Sequence, residues 1–456
     1  MSDECREYLA KWRNTLKFGS TNLRRMEKVY QYLWSHRMLG RTLYISGGEE
    51  VRILNPGVLN SNAGPDFIGA RLRIGDMEWI GNVEIHVKAS DWYVHHHDTD
   101  PAYDTVLLHV VAVSDRKVYR SDGKVVPQVE VTFPKEFHNM FAHLADSIGE
   151  VRCSGMLSRL DPITIHDWIS TLAMERLQTK AEKIKHTLEA TAGDWQQACF
   201  EAFARALGFG LNSDAFEMLA RSVPLNRLMR HSDNLFQIEA LLFGQAGMLN
   251  TGAHMFDEYY QRLCMEYMFL AKKYDLKPLR SEIWKYSRTR PGNFPHRRIA
   301  YLAQFLVGGF DLLTLIMDRI KKKDDCRVIF NRRLEGYWAD HFSFGAEAHS
   351  APKALGSASI ELLMINLVAP LVYTYMGLTG HDEASEKALE IWEDLAPERN
   401  TYTRRWPGLG VPVKDALTTQ ALIQLSKEYC DRHRCLECRF GHQILRKVDA
   451  RYNACK

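Results

Sequence analysis

The chain has 456 residues, which at roughly 150 residues per domain suggests two or three domains. Its composition, 46% hydrophobic and 25% charged, excludes a mainly disordered, collagen-like or coiled-coil chain. A formal net charge of +3 excludes a whole-molecule polyanion-binding surface, and nine cysteines, an odd number in so long a chain, exclude a disulfide-stapled scaffold.

The first 40 residues carry Leu23, Met26, Val29, Tyr30, Leu33 and Trp34 at 3–4 spacing, which predicts a helix. Residues 42–45 and 51–54 flank Gly47-Gly48, and residues 66–74 and 78–88 flank Gly75-Asp76, so each pair predicts a hairpin. Residues 103–113 are almost continuously apolar and predict a strand buried on both faces. Residues 117–120 and 125–132 flank Ser121-Asp122-Gly123 and predict a third hairpin. Beyond residue 160 the periodicity becomes helical, most clearly at 162–190, 194–207, 234–247, 256–273, 296–320, 357–377, 383–394 and 414–430.

The expected fold is therefore an α/β (α+β) N-terminal domain with a mixed sheet over residues 20–135. A large all-α region follows over 136–425, and a short cysteine-containing segment over 426–456. The charged N-terminus lacks the apolar core of a signal peptide, and the apolar stretches 299–320 and 360–378 are interrupted by polar residues, glycines or Pro370. The expectation is a soluble, reduced, cytoplasmic protein with no membrane span.

The chemistry concentrates in the first domain. Pro65-Asp66 precedes one strand, and the next carries Glu84, His86 and Lys88 at alternate positions, so these three share a face while Val83, Ile85 and Val87 share the other. Asp66 and Glu84 on neighbouring strands suit Mg²⁺ or Mn²⁺, with His86 as a further ligand or base and Lys88 beside developing phosphoryl charge. The plain alternative is the solvated face of an antiparallel sheet. Five of the 18 histidines fall between His86 and His109, including the triplet His95-His96-His97, which makes His95 and His97 candidate metal ligands.

Two other stretches stand out. Residues 271–300 hold nine basic against two acidic side chains. Lys285, Arg288, Arg290, Arg297 and Arg298, with Tyr286 and Phe294 interleaved, are candidates to bind a nucleic-acid backbone, or else to bridge to acidic residues. Near the end, Cys430, Cys435 and Cys438 form C-x4-C-x2-C, a spacing that suits zinc or an iron–sulfur cluster. Cys455, His433, His442, Cys5 or another distant cysteine would complete the set. Cys153, Cys199, Cys264 and Cys326 are read as isolated core residues.

The Asp66 and Glu84-x-His86-x-Lys88 arrangement resembles the PD-(D/E)XK nuclease superfamily. That pattern places an Asp at the start of one strand and an acidic residue and Lys two positions apart on the next. The resemblance implies a restriction-endonuclease-like domain, Mg²⁺ or Mn²⁺ at Asp66 and Glu84, and a helical glutamate for which Glu27 is the candidate. The chain departs from the pattern at His86. Over most of its length it also resembles the domain-of-unknown-function family numbered 2851, through Gly64-Pro65-Asp66-Phe67, the 81–92 segment, Leu107-Leu108-His109-Val110-Val111, the 290–295 segment and Cys435-Leu436-Glu437-Cys438. The leading functional expectation is a divalent-metal-dependent nuclease with nucleic acid as partner. The alternatives are a non-catalytic nucleic-acid-binding or scaffold protein, or a His-cluster hydrolase acting on a small substrate.

Overall fold

The computed structural model describes residues 20–39, 43–60, 62–131, 135–146, 150–250, 254, 256–287, 289–320, 323–347 and 352–454. The chain divides into two compact units, one built from residues up to Thr164 together with Glu428 onward, the other from Ile165–Lys427. The cysteine segment thus joins the first unit instead of standing apart.

In chain order the first unit contains α1 (Ser20–Ser35), β1 (Leu43–Tyr44), β2 (Glu50–Asn55), β3 (Val58–Leu59), β4 (Phe67–Ile74), β5 (Met77–Lys88), α2 (Asp91–Val94), β6 (Val106–Val113), β7 (Gln128–Glu130) and α3 (Lys135–Asp146). The strands form one mixed sheet in the order β1-β2-β4-β5-β6-β7, with β3 also on β4. Pairing is antiparallel from β1 to β5 and parallel from β5 through β6 to β7. The two glycine-marked hairpins form as predicted, with Gly75 at a φ of 57° in the β4–β5 turn. β6 lies between two parallel neighbours and is buried along most of its length, as its apolar run requires. The third hairpin differs: Tyr119 and Val125 make only an isolated bridge, and Gln128–Glu130 instead extends the sheet alongside β6.

α1 packs on β5 through Val29, Tyr30, Leu33 and Trp34, all fully buried. Trp34 also donates its indole N–H to the Pro56 carbonyl at 2.9 Å. Beyond β5 a second core gathers Trp92, Tyr103, Val106, Val111, Val118 and Val126. Each such large side chain contributes about 1.5–3 kcal/mol when fully buried.

The second unit is helical: α4 (Pro162–Ala190), α5 (Trp195–Leu207), α6 (Ser213–Ser222), α7 (Leu225–Met229), α8 (Leu235–Gln245), α9 (Glu258–Tyr274), α10 (Pro295–Leu306), α11 (Leu312–Arg319), α12 (Lys323–Phe330), α13 (Ser357–Leu378), α14 (Ala384–Glu393) and α15 (Ala416–Gln424). The helix predicted over 296–320 is two helices. Gly308 and Gly309, at φ values of 82° and 115°, break it, and the Gly308 N–H bonds the Ser232 carbonyl at 2.9 Å. α13 runs through Pro370 because a π-helical turn at Met364–Val368 absorbs the missing donor. It is long and apolar enough to cross a membrane, but 61% of its most apolar stretch is buried within its unit. α16 (Arg439–Ala454) returns the chain to the first unit and packs on α3.

Candidate functional site

Asp66 is set at the mouth of β4 by Asn60, whose backbone N–H bonds the Asp66 carbonyl at 2.8 Å and whose amide bonds the Pro65 carbonyl at 3.1 Å. The β4–β5 register then shifts between Phe67 and Ala70, where Gly69 has a φ of 68°, and the β5–β6 register shifts between Asn82 and Val83. Both irregularities flank the site residues, as β-bulges beside functional sites commonly do by re-aiming side chains.

The two carboxylates are interlocked through the backbone. Glu84 Oε2 accepts the Asp66 N–H at 2.9 Å, and Asp66 Oδ2 accepts the Ile85 N–H at 3.1 Å. Asp66 Oδ1 accepts from Gln31 Nε2 at 2.9 Å, a donor on α1 that the sequence reading missed. Glu27 lies one turn earlier on the same face of α1.

Histidines surround Glu84. Its Oε1 lies 3.3 Å from His97 Nε2 and 3.5 Å from His86 Nε2. His86 Nδ1 is 2.8 Å from His109 Nε2, and His86 Nε2 is 3.0 Å from His95 Nδ1. One ligand atom from each of His86, His95 and His97 lies within 4.8 Å of the others. The triplet achieves this by bending at its middle residue: His96 sits at a φ of 61°, exposed, with His95 and His97 on either side of it. His97 is stacked on Tyr103 with ring centroids 3.7 Å apart, and Trp92 meets His97 edge-on and lies tilted against His109. His109 faces Glu84 across the β5–β6 ladder; the sequence counted it in the histidine-rich stretch but gave it no role of its own.

Burial dominates the electrostatics. It pushes Glu84 up to about 8, opposed by the Asp66 N–H. Burial, then the Glu84 charge, pushes Asp66 up to about 7, against the Gln31 and Ile85 donors. Burial holds His86 well below the usual imidazole range and takes His97 down to about 4 and His109 to about 3. Neutral imidazoles and strained carboxylates facing one another are what a cation would relieve on both sides at once. His97 Nε2 and His109 Nδ1 are buried without a hydrogen-bond partner. For His97 Nε2, 3.3 Å from a carboxylate oxygen yet unbonded, that is the disposition of a ligand nitrogen. The residues that could hold a divalent ion are therefore His86, His95 and His97, with Glu84 against His86 and His97 and Asp66 beside Glu84. In this arrangement His86 Nδ1 donates to His109, a second-shell role that fixes the tautomer.

The remaining sequence candidates fall differently. Lys88 ends the Glu84-His86 face half-buried, and its backbone N–H bonds Asp91 Oδ2 at 3.0 Å. In the helical unit, Arg297 is 2% exposed and donates to the carbonyls of Trp338 and His341 at 2.8 and 2.7 Å and to that of Pro352. Arg298 is 5% exposed, lies 4.4 Å over the Phe209 ring and donates to Asn293. These two guanidiniums are structural braces, while Lys285 and Arg290 are exposed. Arg288, Cys5 and Cys455 lie outside the described residues.

The chain belongs to the family described as protein of unknown function (DUF2851), whose model matches residues 27–401. No curated protein and no solved structure matches it.

Proposed function

We propose that this DUF2851 family member is a divalent-metal-dependent hydrolase of phosphodiester bonds, a nuclease whose metal lies where Asp66 and Glu84 meet the histidines. The observation that carries the reading is the convergence of Glu84 Oε1 with His86 and His97, inside a group of three imidazoles whose ligand atoms lie within 4.8 Å. The placing of one acid at the mouth of a strand and a second on its hairpin partner supports phosphodiester chemistry through its likeness to the PD-(D/E)XK pattern. A mixed nitrogen and oxygen donor set favours Mn²⁺ or Zn²⁺ over Mg²⁺, which prefers oxygen.

A bound ion of this kind lowers the pKa of a coordinated water and offsets charge on a phosphoryl oxygen. The protein's own groups do the rest. His109 and Gln31 orient His86 and Asp66. His95, exposed while His86 and His97 are buried, is the one of the three imidazoles on the solvent side of the group. Lys88 contributes positive charge at the end of the same strand face.

The preponderance of imidazole favours a second reading, a hydrolase of small substrates. One experiment separates them. Chelator-treated protein is supplied with Mn²⁺, Zn²⁺ or Mg²⁺ and offered single- and double-stranded DNA and RNA, and bis(p-nitrophenyl) phosphate. Cleavage of a polymer, lost in Asp66→Ala and Glu84→Gln, is the expected result. Hydrolysis of the small diester alone moves the assignment to the second reading. Nucleic-acid binding without cleavage under any of the metals overturns catalysis and leaves a binding or scaffold protein.

A further inference from the structure

The helical unit encloses a cavity of about 920 Å³, walled by α4, α5, α6, α13 and parts of the chain between residues 396 and 427. That is near the upper end of the roughly 300–1,000 Å³ usual for small-molecule sites. Every lining residue falls between Ile165 and Lys427, so the cavity belongs to this unit alone. Lys285, Arg290, Arg297 and Arg298, singled out in the sequence as phosphate contacts, do not line it.

Cations dominate one wall. Arg176, Lys180 and Lys183 follow one another along α4 at i, i+4 and i+7, the spacing that puts side chains on one helix face. Lys180 is half-buried, and its Nζ donates to Asn366 Oδ1 at 2.5 Å. Arg176 Nε donates to Gln420 Oε1 at 3.2 Å. Arg399 and Lys427 add charge from the later part of the chain, and Lys427 Nζ lies 5.1 Å over the Tyr402 ring. Like charges at these helical spacings disfavour the helix that carries them, so the α4 row is kept at a cost.

The acids that line the cavity do not offset this row. Glu201 takes Arg221 at 2.9 Å, and Glu217 takes Arg221 at 2.5 Å and also Arg205. Glu398 accepts from the Gln420 amide, and Glu361 stands on α13. The α5–α6 side is thus closed on itself, while among the described residues neither Lys180 nor Lys183 forms an ion pair. Burial, then the Arg176 charge, holds Lys180 well below the usual lysine range; Glu398 opposes this, and Lys183 and Lys427 add to it. Lys183 is lowered as well, by burial and then by Arg205. An anion against the α4 row relieves both lysines together.

The backbone is shaped around the same place. Two π-helical turns, Met364–Val368 and Leu425–Cys430, each supply a lining side chain, Asn366 from the first and Lys427 from the second. Such turns are rare and are frequent at functional sites. Asn366 Nδ2 is held by the Leu362 carbonyl at 2.8 Å, which leaves its oxygen toward Lys180. Across the cavity, Asn400 Oδ1 accepts the N–H groups of Tyr402 and Thr403 at 2.9 and 3.0 Å and fixes that loop.

We propose that this cavity binds a soluble phosphate ester, with the phosphoryl oxygens against Arg176, Lys180 and Lys183. An arginine fork and two lysine point charges suit a group with several charged oxygens. Helical walls around a volume of this size suit a small molecule, whereas a polymer requires a groove that tracks its backbone. The inference concerns the helical unit and does not rest on the nuclease reading.

The test uses the full chain, treated with chelator so that no metal at the histidines draws the probe. It is titrated by calorimetry with inorganic pyrophosphate, and with citrate as a polycarboxylate control. The expected result is one pyrophosphate per chain and weaker binding of citrate. Lys180→Gln and Lys183→Gln should each weaken pyrophosphate about 10-fold, the loss of one charge-assisted contact. Lys183→Arg should keep the affinity, as should Lys272→Gln on the exposed side of α9. Pyrophosphate should also slow acylation of Lys180 and Lys183, but not of Lys272, when modified lysines are mapped by mass spectrometry. No binding by the folded wild-type chain overturns the site. Unchanged affinity in both glutamine variants overturns its placement on α4. Citrate bound as tightly as pyrophosphate overturns the phosphate class. The acylation map needs no variant, so it decides the location even if Lys180→Gln fails to fold.

Discussion

Replacing Glu84 with glutamine should stabilise the metal-free protein while abolishing metal binding at the histidine site. Burial raises this carboxyl from 4.5 to about 8. A group whose folded pKa is raised binds protons more tightly when folded, so ionising it costs stability. That cost is absent below about pH 4.5, accumulates as pH rises, and is fully present above about pH 8. At about 1.4 kcal/mol per pKa unit the ceiling is about 5 kcal/mol. Relaxation and water entry reduce such ceilings, and we expect about 2 kcal/mol at pH 8.5 and nearly nothing at pH 5. The amide keeps the geometry: its oxygen can still accept the Asp66 N–H now on Oε2, and its NH₂ faces the unpartnered His97 Nε2. The assay is amide hydrogen exchange over residues 82–88 in chelator-treated wild type and Glu84→Gln, at both pH values. A variant less stable than wild type at pH 8.5, or an advantage independent of pH, would refute the argument that this carboxylate is held at a cost that a cation normally offsets.

Three further outcomes follow from the same geometry. Metal affinity at the histidine site should weaken as pH falls below about 8, because Glu84 and then Asp66, raised to about 8 and about 7, hold protons that the ion must displace; calorimetry in buffers of different ionisation enthalpy should show proton release on binding near pH 6.5. Gln31→Leu removes the donor to Asp66 Oδ1 without changing the helix, and should weaken metal binding roughly 10-fold in a chelator competition while α1 stays folded. Gly244→Ala places a β-carbon 2.0 Å from the Tyr267 ring in the helical unit, and should destabilise that unit by about 1–3 kcal/mol, read as faster exchange in α8 and α9 with metal binding at the histidine site unchanged.

Much of the first unit was legible because its signals are local. Gly47-Gly48 and Gly75-Asp76 each mark a turn between alternating segments, and the run from Val106 to Val113 declares a strand covered on both faces. The alternation of Glu84 and His86 with valines fixed which side chains share a face, and the histidine triplet pointed to the same region. The partners that complete the arrangement gave no local signal. Gln31 is an ordinary polar residue on a helix until α1 packs against the sheet. His109 interrupts an apolar strand, and only the parallel β5–β6 register sets it opposite Glu84. Arg297 and Arg298 looked like a basic patch because charge in a sequence carries no sign of burial; the carbonyls of Trp338, His341 and Pro352 that engage Arg297 are remote in the chain. The helix over 296–320 was overextended because its apolar period continues past Gly308 and Gly309, whose left-handed φ values end it.

The first unit is discontinuous, interrupted after Thr164 and resumed at Glu428. On the ribosome this means that β1 to β7 emerge long before α16. α3, which follows the sheet directly, must wait without its partner α16 while the entire helical unit is made. The helical unit, by contrast, is contiguous from Ile165 to Lys427 and can mature as soon as it is complete. Synthesis order thus sets the timing: a chain terminated just after Lys427 carries a finished second unit attached to an unfinished first. Such truncated chains should be recognised by the cell as misfolded, even though most of their length is native.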